Sequence, residues 1–500
     1  MAGEACLICT IRCIFRYPGL AGGRGRFSSV LISMAYYFKA FSLSFFQFKA
    51  IVKRPPEQQK VGNVPFLFTE KRHFLSGFGM PQSGTIEVNM KENLIEQAAA
   101  RESWLAFLSE KREKQHLSRQ EEQEIQDFIQ REGYLPLCRA CREGCFPSML
   151  PVRRTINKEG SRKKRVIYTF PGDEGIFLKF IAHGLTGYED LLPDNCYAFR
   201  SSVGVKEAIE LLQEDSRAGD GWCLKVDISD YFNSIDVPLL LPKLAFLRER
   251  DEEVYRLLVR LLTREQVMEK GQQIREKHGI MAGTPTAPFL ANLYLADVDR
   301  FFEEQGVLYL RYSDDILLFA DSREELAQRQ RQLYGQLTAL KLSVNPDKVS
   351  IAGPGQGIDF LGIAYRRGEI DLSANTLRKT KAKIRRKSEA LRRWQRKKGV
   401  SPDKAAIALA RTMNRKFYGY GDPVAREEEQ TDAFTWSRWF FPLLTTDRGL
   451  KEIDACLQEY LRYTVTGRHY KGNYRISYEQ LRQWGYVSLV HEYYRWRERL

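Results

Sequence analysis

Acid is what the start of this chain lacks: residues 1–56 hold one carboxylate, Glu4, against eight lysines and arginines. An acid-poor start with Arg and Ser is compatible with an organelle transit peptide. The stretch VLISMAYYFKAFSLSFFQF, residues 30–48, approaches the length of a membrane span, but Lys39 and several serines leave its hydropathy marginal. A third reading starts translation at Met34 or Met90. These readings stay open, and residues 1–89 are expected to be a non-catalytic extension without firm membrane association. Cysteine is also scarce. Nine in 500 residues exclude a disulfide-stapled scaffold and suit a reducing cytoplasm. Cys138, Cys141 and Cys145 lie in LCRACREGC, a spacing repeated by Cys6, Cys9 and Cys13. Three thiolates could serve zinc, but no fourth ligand is near either cluster. Positions i, i+3 and i+7 share a helix face, so buried thiols explain them at lower cost. Internal repeats and long low-complexity segments are absent.

What is present is size and positive charge. A chain of 500 residues exceeds one ordinary core. At 43% hydrophobic and 28% charged it is a folded protein rather than a disordered one. Lysine and arginine number 78 against 63 acids, a net charge of +15 that suggests a polyanionic partner. Residues 90–150 have a helical, charged pattern, with SRQE as a capping box at Ser118. PVRRTINKEGSRKKRVIYTF, from 151, predicts two short strands joined by a basic turn. A mixed α/β region runs from about 175 to 365, and the chain after it is helical again.

The informative stretch is VLYLRYSDDILLFA, residues 307–320. Two strand-like apolar runs flank Ser313, Asp314 and Asp315, which would form the turn between them. Taken alone, this is a polar hairpin tip where carboxylates stay solvated. Upstream, WCLKVDISDYFNSID puts Asp227 at the end of another apolar strand, with Asp230 three residues on. A strand ending in Asp, together with a hairpin bearing two more, suits a two-metal phosphoryl-transfer site. Carboxylates on rigid elements hold two Mg²⁺ ions, and the ions offset their mutual repulsion.

These blocks resemble reverse transcriptases. Tyr312-Ser313-Asp314-Asp315 is similar to their YxDD box, and the segment from Asp227 to Phe232 is similar to their first aspartate motif. GIMAGTPTAPFLANLYLADVD (279–299), LSVNPDKV (342–349), IDFLGIAY (358–365), KEGSRKKRVIY (158–168) and CYAFRSS (196–202) follow the family's other blocks, in the family's order across about 153–365. The sequence departs from the family where Met281-Ala282 replace a common Pro-Gln and Ala287 a common Ser. That bears on template or nucleotide discrimination rather than on metal chemistry.

The resemblance implies an α+β right-hand polymerase: fingers and palm over 151–366, a basic thumb over 367–420 and a helical C-terminal extension over 421–500. It implies that Asp227, Asp314 and Asp315, with the backbone of Ile228, bind two Mg²⁺ ions, with Mn²⁺ as a substitute. Lys348 would be a general acid for the leaving pyrophosphate. Lys163, Lys164 and Arg165 would clasp the triphosphate, Arg165 matching best. Asp230, Tyr231, Gly283 and Pro285 would border the dNTP, and Phe232 would be the bulky gate against a 2′-hydroxyl. Arg200 and Tyr312 would contact nucleic acid. RKTKAKIRRKSEALRRWQRKK, residues 378–398, has twelve Lys/Arg and one acid, Glu389. Arg378, Lys379, Lys383, Arg385 and Arg386 on it would track the phosphates of a product duplex. The implied activity is RNA-directed DNA polymerisation on an RNA template, a structured non-coding RNA, from dNTPs to a DNA product. The compact plan looks like the bacterial defence-associated enzymes, which implies an antiviral role in the cytoplasm. Some of those relatives are oligomeric, so a homo-oligomer is among the expectations. A maturase-like RNA-binding protein is the alternative.

Overall fold

The computed structural model describes residues 93–113, 117–157, 164–276, 279–421 and 435–499. All of these lie within the unit 87–500. Lys163, the Cys6–Cys9–Cys13 cluster and the expectations for 1–89 fall outside the described residues.

Helices come first. α1 (Arg119–Gln130) starts at the expected capping box, where Ser118 and Glu121 satisfy each other's backbone N–H groups. It buries Ile125, Phe128 and Ile129 beside α2 (Tyr134–Arg142). Fully buried Trp104 organises this layer, stacking on Phe180 at 4.3 Å. α2 buries Cys138 and Cys141, and burial pushes the Cys138 thiol up to about 11. Burial disfavours the thiolate at both positions, in keeping with cysteines packed into a core. Cys145 departs from the expectation: α2 ends at Arg142, so Cys145 lies beyond it and is exposed.

Three sheets follow. β1 (Val152–Asn157) and β2 (Lys164–Thr169) form the expected antiparallel hairpin. It joins β4 (Gln266–Glu269) and β5 (Gln272–Arg275) in the order β2-β1-β4-β5. The central sheet has the order β6-β7-β3-β8, built from β3 (Trp222–Asp227), β6 (Tyr309–Tyr312), β7 (Asp315–Ala320) and β8 (Ser350–Ala352). β9 (Ile358–Phe360), β10 (Ile363–Arg366) and β11 (Glu369–Leu372) make the third sheet.

The central sheet is covered on both faces, which is why its strands are nearly continuous apolar runs. Leu224, Val226, Ile316 and Leu318 join one core with α3 (Ala287–Glu304). Cys223, Leu310, Leu317 and Phe319 join the other core with the third sheet and the C-terminal helices. Those helices are α4 (Ala374–Lys398), α5 (Pro402–Tyr418), α6 (Arg448–Thr466) and α7 (Leu489–Arg497). α4 buries Thr380, Ile384 and Ser388 at four-residue spacing, and Ser388 Oγ lies 2.7 Å from Thr464 Oγ1 of α6. Helices on both sides of residue 420 therefore share one core. The architecture is the expected α+β class. Among the described residues no helix is long and apolar enough to cross a membrane.

Candidate active site

The alternation that fills two cores also sorts the charges. Side chains two apart on a strand share a face. Lys225 and Asp227 therefore share a face of β3, and Asp315 shares the same face from β7, since Asp227 and Asp315 are register partners. Like charges directly opposite destabilise a sheet, so the pairing is costly without a cation. Asp314 occupies the two-residue turn beside them, its carbonyl accepting the Ile228 N–H at 3.0 Å. Asp315 opens β7 rather than lying in the turn as expected, because it pairs with Tyr312 across the hairpin.

A loop brings Lys348 to this corner. The Asn345 N–H donates to the Asp227 carbonyl at 2.8 Å, and the Ser229 N–H donates to Ser343 at 2.8 Å. With the loop so fastened, the Lys348 ammonium bonds Asp227 Oδ2. Lys225 donates to the Asp359 carbonyl of β9 at 2.7 Å and lies 3.9 Å from Asp315 Oδ1. Sequence reasoning missed Lys225, although a lysine two residues before Asp227 in an apolar strand was a usable signal.

Asp227 is 5% exposed. Burial, then repulsion from Asp227, holds the Asp314 carboxyl above the ordinary range. Burial outweighs the pull of Lys225 to raise Asp315 as well, helped by Asp314 and Asp227. Among the described residues no three Asp, Glu, His or Cys side chains form a ready-made ligand cage, since Asp227 points at Lys348 and Asp315 faces Lys225. The donor set nevertheless fits a hard divalent cation, being carboxylate oxygens gathered at one strand end and its neighbouring turn. Crowded carboxylates with raised pKa values are what such an ion would relieve.

Beneath the turn lies Arg311, with no exposed surface. Its Nε donates to Asp299 Oδ1 of α3 at 2.8 Å, and Nη1 donates to Asn292 Oδ1 at 3.2 Å and to the Ser313 carbonyl at 3.3 Å. The ion pair thereby ties the turn to α3. Ser313 itself has a φ of +61°.

The expected nucleotide contacts separate into two groups. Lys164 and Arg165 are exposed on β2. Gly283, at φ +101°, lies against β2. A Cβ there would sit 3.0 Å from the Tyr168 carbonyl, and the Tyr168 N–H donates to the Ala282 carbonyl at 2.8 Å. Pro285 follows in the same turn, half-buried. Asp230 is exposed at φ +45° and starts the short helix Tyr231–Ser234, from which Phe232 emerges half-buried.

Two expectations are corrected. The Tyr231 side chain turns away from the site: it is 3% exposed, with its hydroxyl donating to the Ala291 carbonyl of α3, which leaves only its backbone to border a nucleotide. Arg200 is not offered to nucleic acid, since its Nη1 donates to the carbonyls of Pro193 and Cys196 at 2.8 and 3.2 Å within its own loop. Tyr312 is half-buried against Phe199. On α4, Arg378, Lys379, Lys383, Arg385 and Arg386 are all exposed.

Residues 156–365 match the reverse transcriptase (RNA-dependent DNA polymerase) family. The retron Ec86 reverse transcriptase of Escherichia coli is 23% identical over 188 residues, 37% of this chain and 55% of that protein. The group II intron-encoded protein LtrA of Lactococcus lactis subsp. cremoris is 26% identical over 189 residues, 37% of this chain and 30% of that one. The chain thus spans about half or less of the curated relatives it matches. Among solved structures, apo telomerase from Candida tropicalis aligns with a TM-score of 0.38 at 11% identity over 67% of each chain.

Proposed function

We propose, on the match of residues 156–365 to the reverse transcriptase family, that the chain is an RNA-directed DNA polymerase whose active site is the Asp227–Asp314–Asp315 corner. The observation that carries the proposal is the direct pairing of Asp227 with Asp315 beside the Asp314 turn. No packing need explains two opposed carboxylates at a half-buried sheet end. Magnesium or manganese held there by the three carboxylates and the Ile228 carbonyl would lower the pKa of an attacking 3′-hydroxyl and offset the charge of the leaving pyrophosphate. The chain's own groups do the rest. Lys164 and Arg165 orient the triphosphate from the β1–β2 hairpin. Lys348 holds a proton beside Asp227 for the leaving group. Phe232 sets the sugar boundary, and the basic face of α4 holds the duplex by its phosphates.

Purified protein with a primer on an RNA template and labelled nucleotides tests this. Deoxynucleotide incorporation is expected, falling about a hundredfold or more in Asp314→Ala. Incorporation that survives this substitution would remove the site assignment, and RNA binding without any synthesis would favour the maturase-like alternative. We further assign the enzyme a structured non-coding RNA template and a role in bacterial antiviral defence, from its compact plan of polymerase core, basic helix and helical extension. Phage plating on cells expressing the chain or Asp314→Ala checks that role: protection must require the aspartate.

A further inference from the structure

Phe199 has a φ of +58°, in the left-handed region that bulky residues occupy only when their surroundings dictate it. Here the surroundings do. Asn292 Nδ2 of α3 donates to the Ala198 carbonyl at 2.6 Å. The Glu189 carboxylate accepts the Ser201 N–H at 2.8 Å, and the Arg200 side chain binds the loop's own carbonyls. A loop fastened on both sides of one residue could hold glycine there without strain. It holds a phenyl ring instead and leaves that ring 45% exposed, so burial does not explain the choice.

What the ring touches does. It stands edge-to-face on Phe232, with centroids 6.2 Å apart and planes at 86°. It also lies 6.4 Å from Tyr312, two residues before Asp314. Phe199 thus spans from the aspartate turn to the ring at the sugar boundary. Four of the nine non-glycine residues with positive φ among the described residues, Phe199, Asp230, Met281 and Ser313, lie in the segments that build this site. Of these four only Phe199 carries a phenyl ring, the side chain that such a backbone suits least.

We propose that Phe199 is a positioning residue for sugar selection: it fixes the Phe232 ring in the orientation that excludes a 2′-hydroxyl from the nucleotide site. This rests on the polymerase reading above. The test is single-nucleotide incorporation on one RNA-templated primer, measuring kcat and KM for a dNTP and the matching rNTP. The proteins compared are the unaltered chain, Phe199→Ala, Phe199→Gly and Phe199→Tyr. Losing the aromatic contact is expected to lower dNTP-over-rNTP selectivity about three- to tenfold in the Ala and Gly variants, carried by a lower KM for the rNTP. Phe199→Tyr keeps the edge-to-face pair and restores selectivity. Phe199→Gly also releases the backbone strain, so it melts no lower than the unaltered chain, and its result is not clouded by unfolding. Unchanged selectivity in both Ala and Gly variants overturns the inference, as does an equal fall in kcat for both sugars at a constant KM ratio. Absence of any incorporation by the unaltered chain overturns the polymerase reading and this inference together, whereas normal incorporation with unchanged selectivity overturns this inference alone.

Discussion

Asp314 and Asp315 sit where folding would prefer uncharged groups. Burial raises both carboxyls, Asp227 adds to it at both, and Asp314 adds to it at Asp315. An acid whose folded-state pKa lies above its unfolded value binds more protons folded than unfolded between the two, so stability falls as pH rises through that window. Asp314→Asn and Asp315→Asn should therefore melt above the unaltered protein in EDTA, by about 1 kcal/mol, while losing activity. Their advantage should grow as pH climbs from near 4 toward neutrality. It should shrink when millimolar Mg²⁺ is added, because the cation stabilises only the chain that binds it. Calorimetry across pH with and without Mg²⁺ checks all three signs, and an advantage that falls with rising pH would contradict them. Arg311 is the opposite case. Its pair with Asp299 has no exposed surface, so Arg311→Met leaves a buried carboxylate unpaired at a cost of about 3–5 kcal/mol. Arg311→Met with Asp299→Leu should recover much of that stability without recovering full activity, since the Ser313 carbonyl also loses its donor. Denaturant melts of the single and double variants, set beside incorporation assays, separate the two effects.

At the scale of elements, the β1–β2 hairpin docks where Gly283 lets two backbones meet. Gly283→Ala puts a Cβ 3.0 Å from the Tyr168 carbonyl at a φ of +101°, so the hairpin must move or the turn must strain, at about 1–3 kcal/mol. Because Arg165 rides on that hairpin, the variant should raise the KM for nucleotide more than it lowers kcat. Steady-state kinetics check this, and a pure kcat loss would refute it. The same elements show how far sequence reading reaches. Strand, turn and strand around Asp227 and Asp314 were legible because period-two patterning and an acidic break are local signals. So was the capping box at Ser118. Tyr231 was misread because motif spacing fixes position along the chain, not the direction of a side chain. A left-handed Asp230 turns the short helix so that Tyr231 enters the α3 core while Phe232 stays near the surface. The roles of Arg311, Lys225 and Phe199 depend on Asp299, Asp359 and Phe232, partners that only the folded chain brings near. An arginine within an apolar strand announces that some partner exists without saying which.

Across the whole molecule, the excess of 78 basic over 63 acidic residues is spread unevenly, with twelve basic residues in 378–398. α4 seats its uncharged Thr380, Ile384 and Ser388 on α6 and turns Arg378, Lys379, Arg385 and Arg386 outward. A helix with such a polar buried seam holds its place through α6 and α5, not through its own propensity, so it presents a rigid row of charge. Such a row suits a ligand with regularly spaced phosphates. Binding of this kind releases counterions, and each lost contact reduces the slope of log affinity against log salt by about 0.7–0.9. Replacing Arg378, Lys379, Arg385 and Arg386 together by Gln should lower that slope by about 3 for a primer–template duplex. The buried seam is untouched, so the melting temperature should hold, and synthesis at saturating duplex should survive because the aspartate corner is unchanged. Fluorescence anisotropy over a salt series measures the slope. A slope unchanged in the fourfold variant would mean that the duplex leaves the active site along another surface, and the role given to α4 would fall with it.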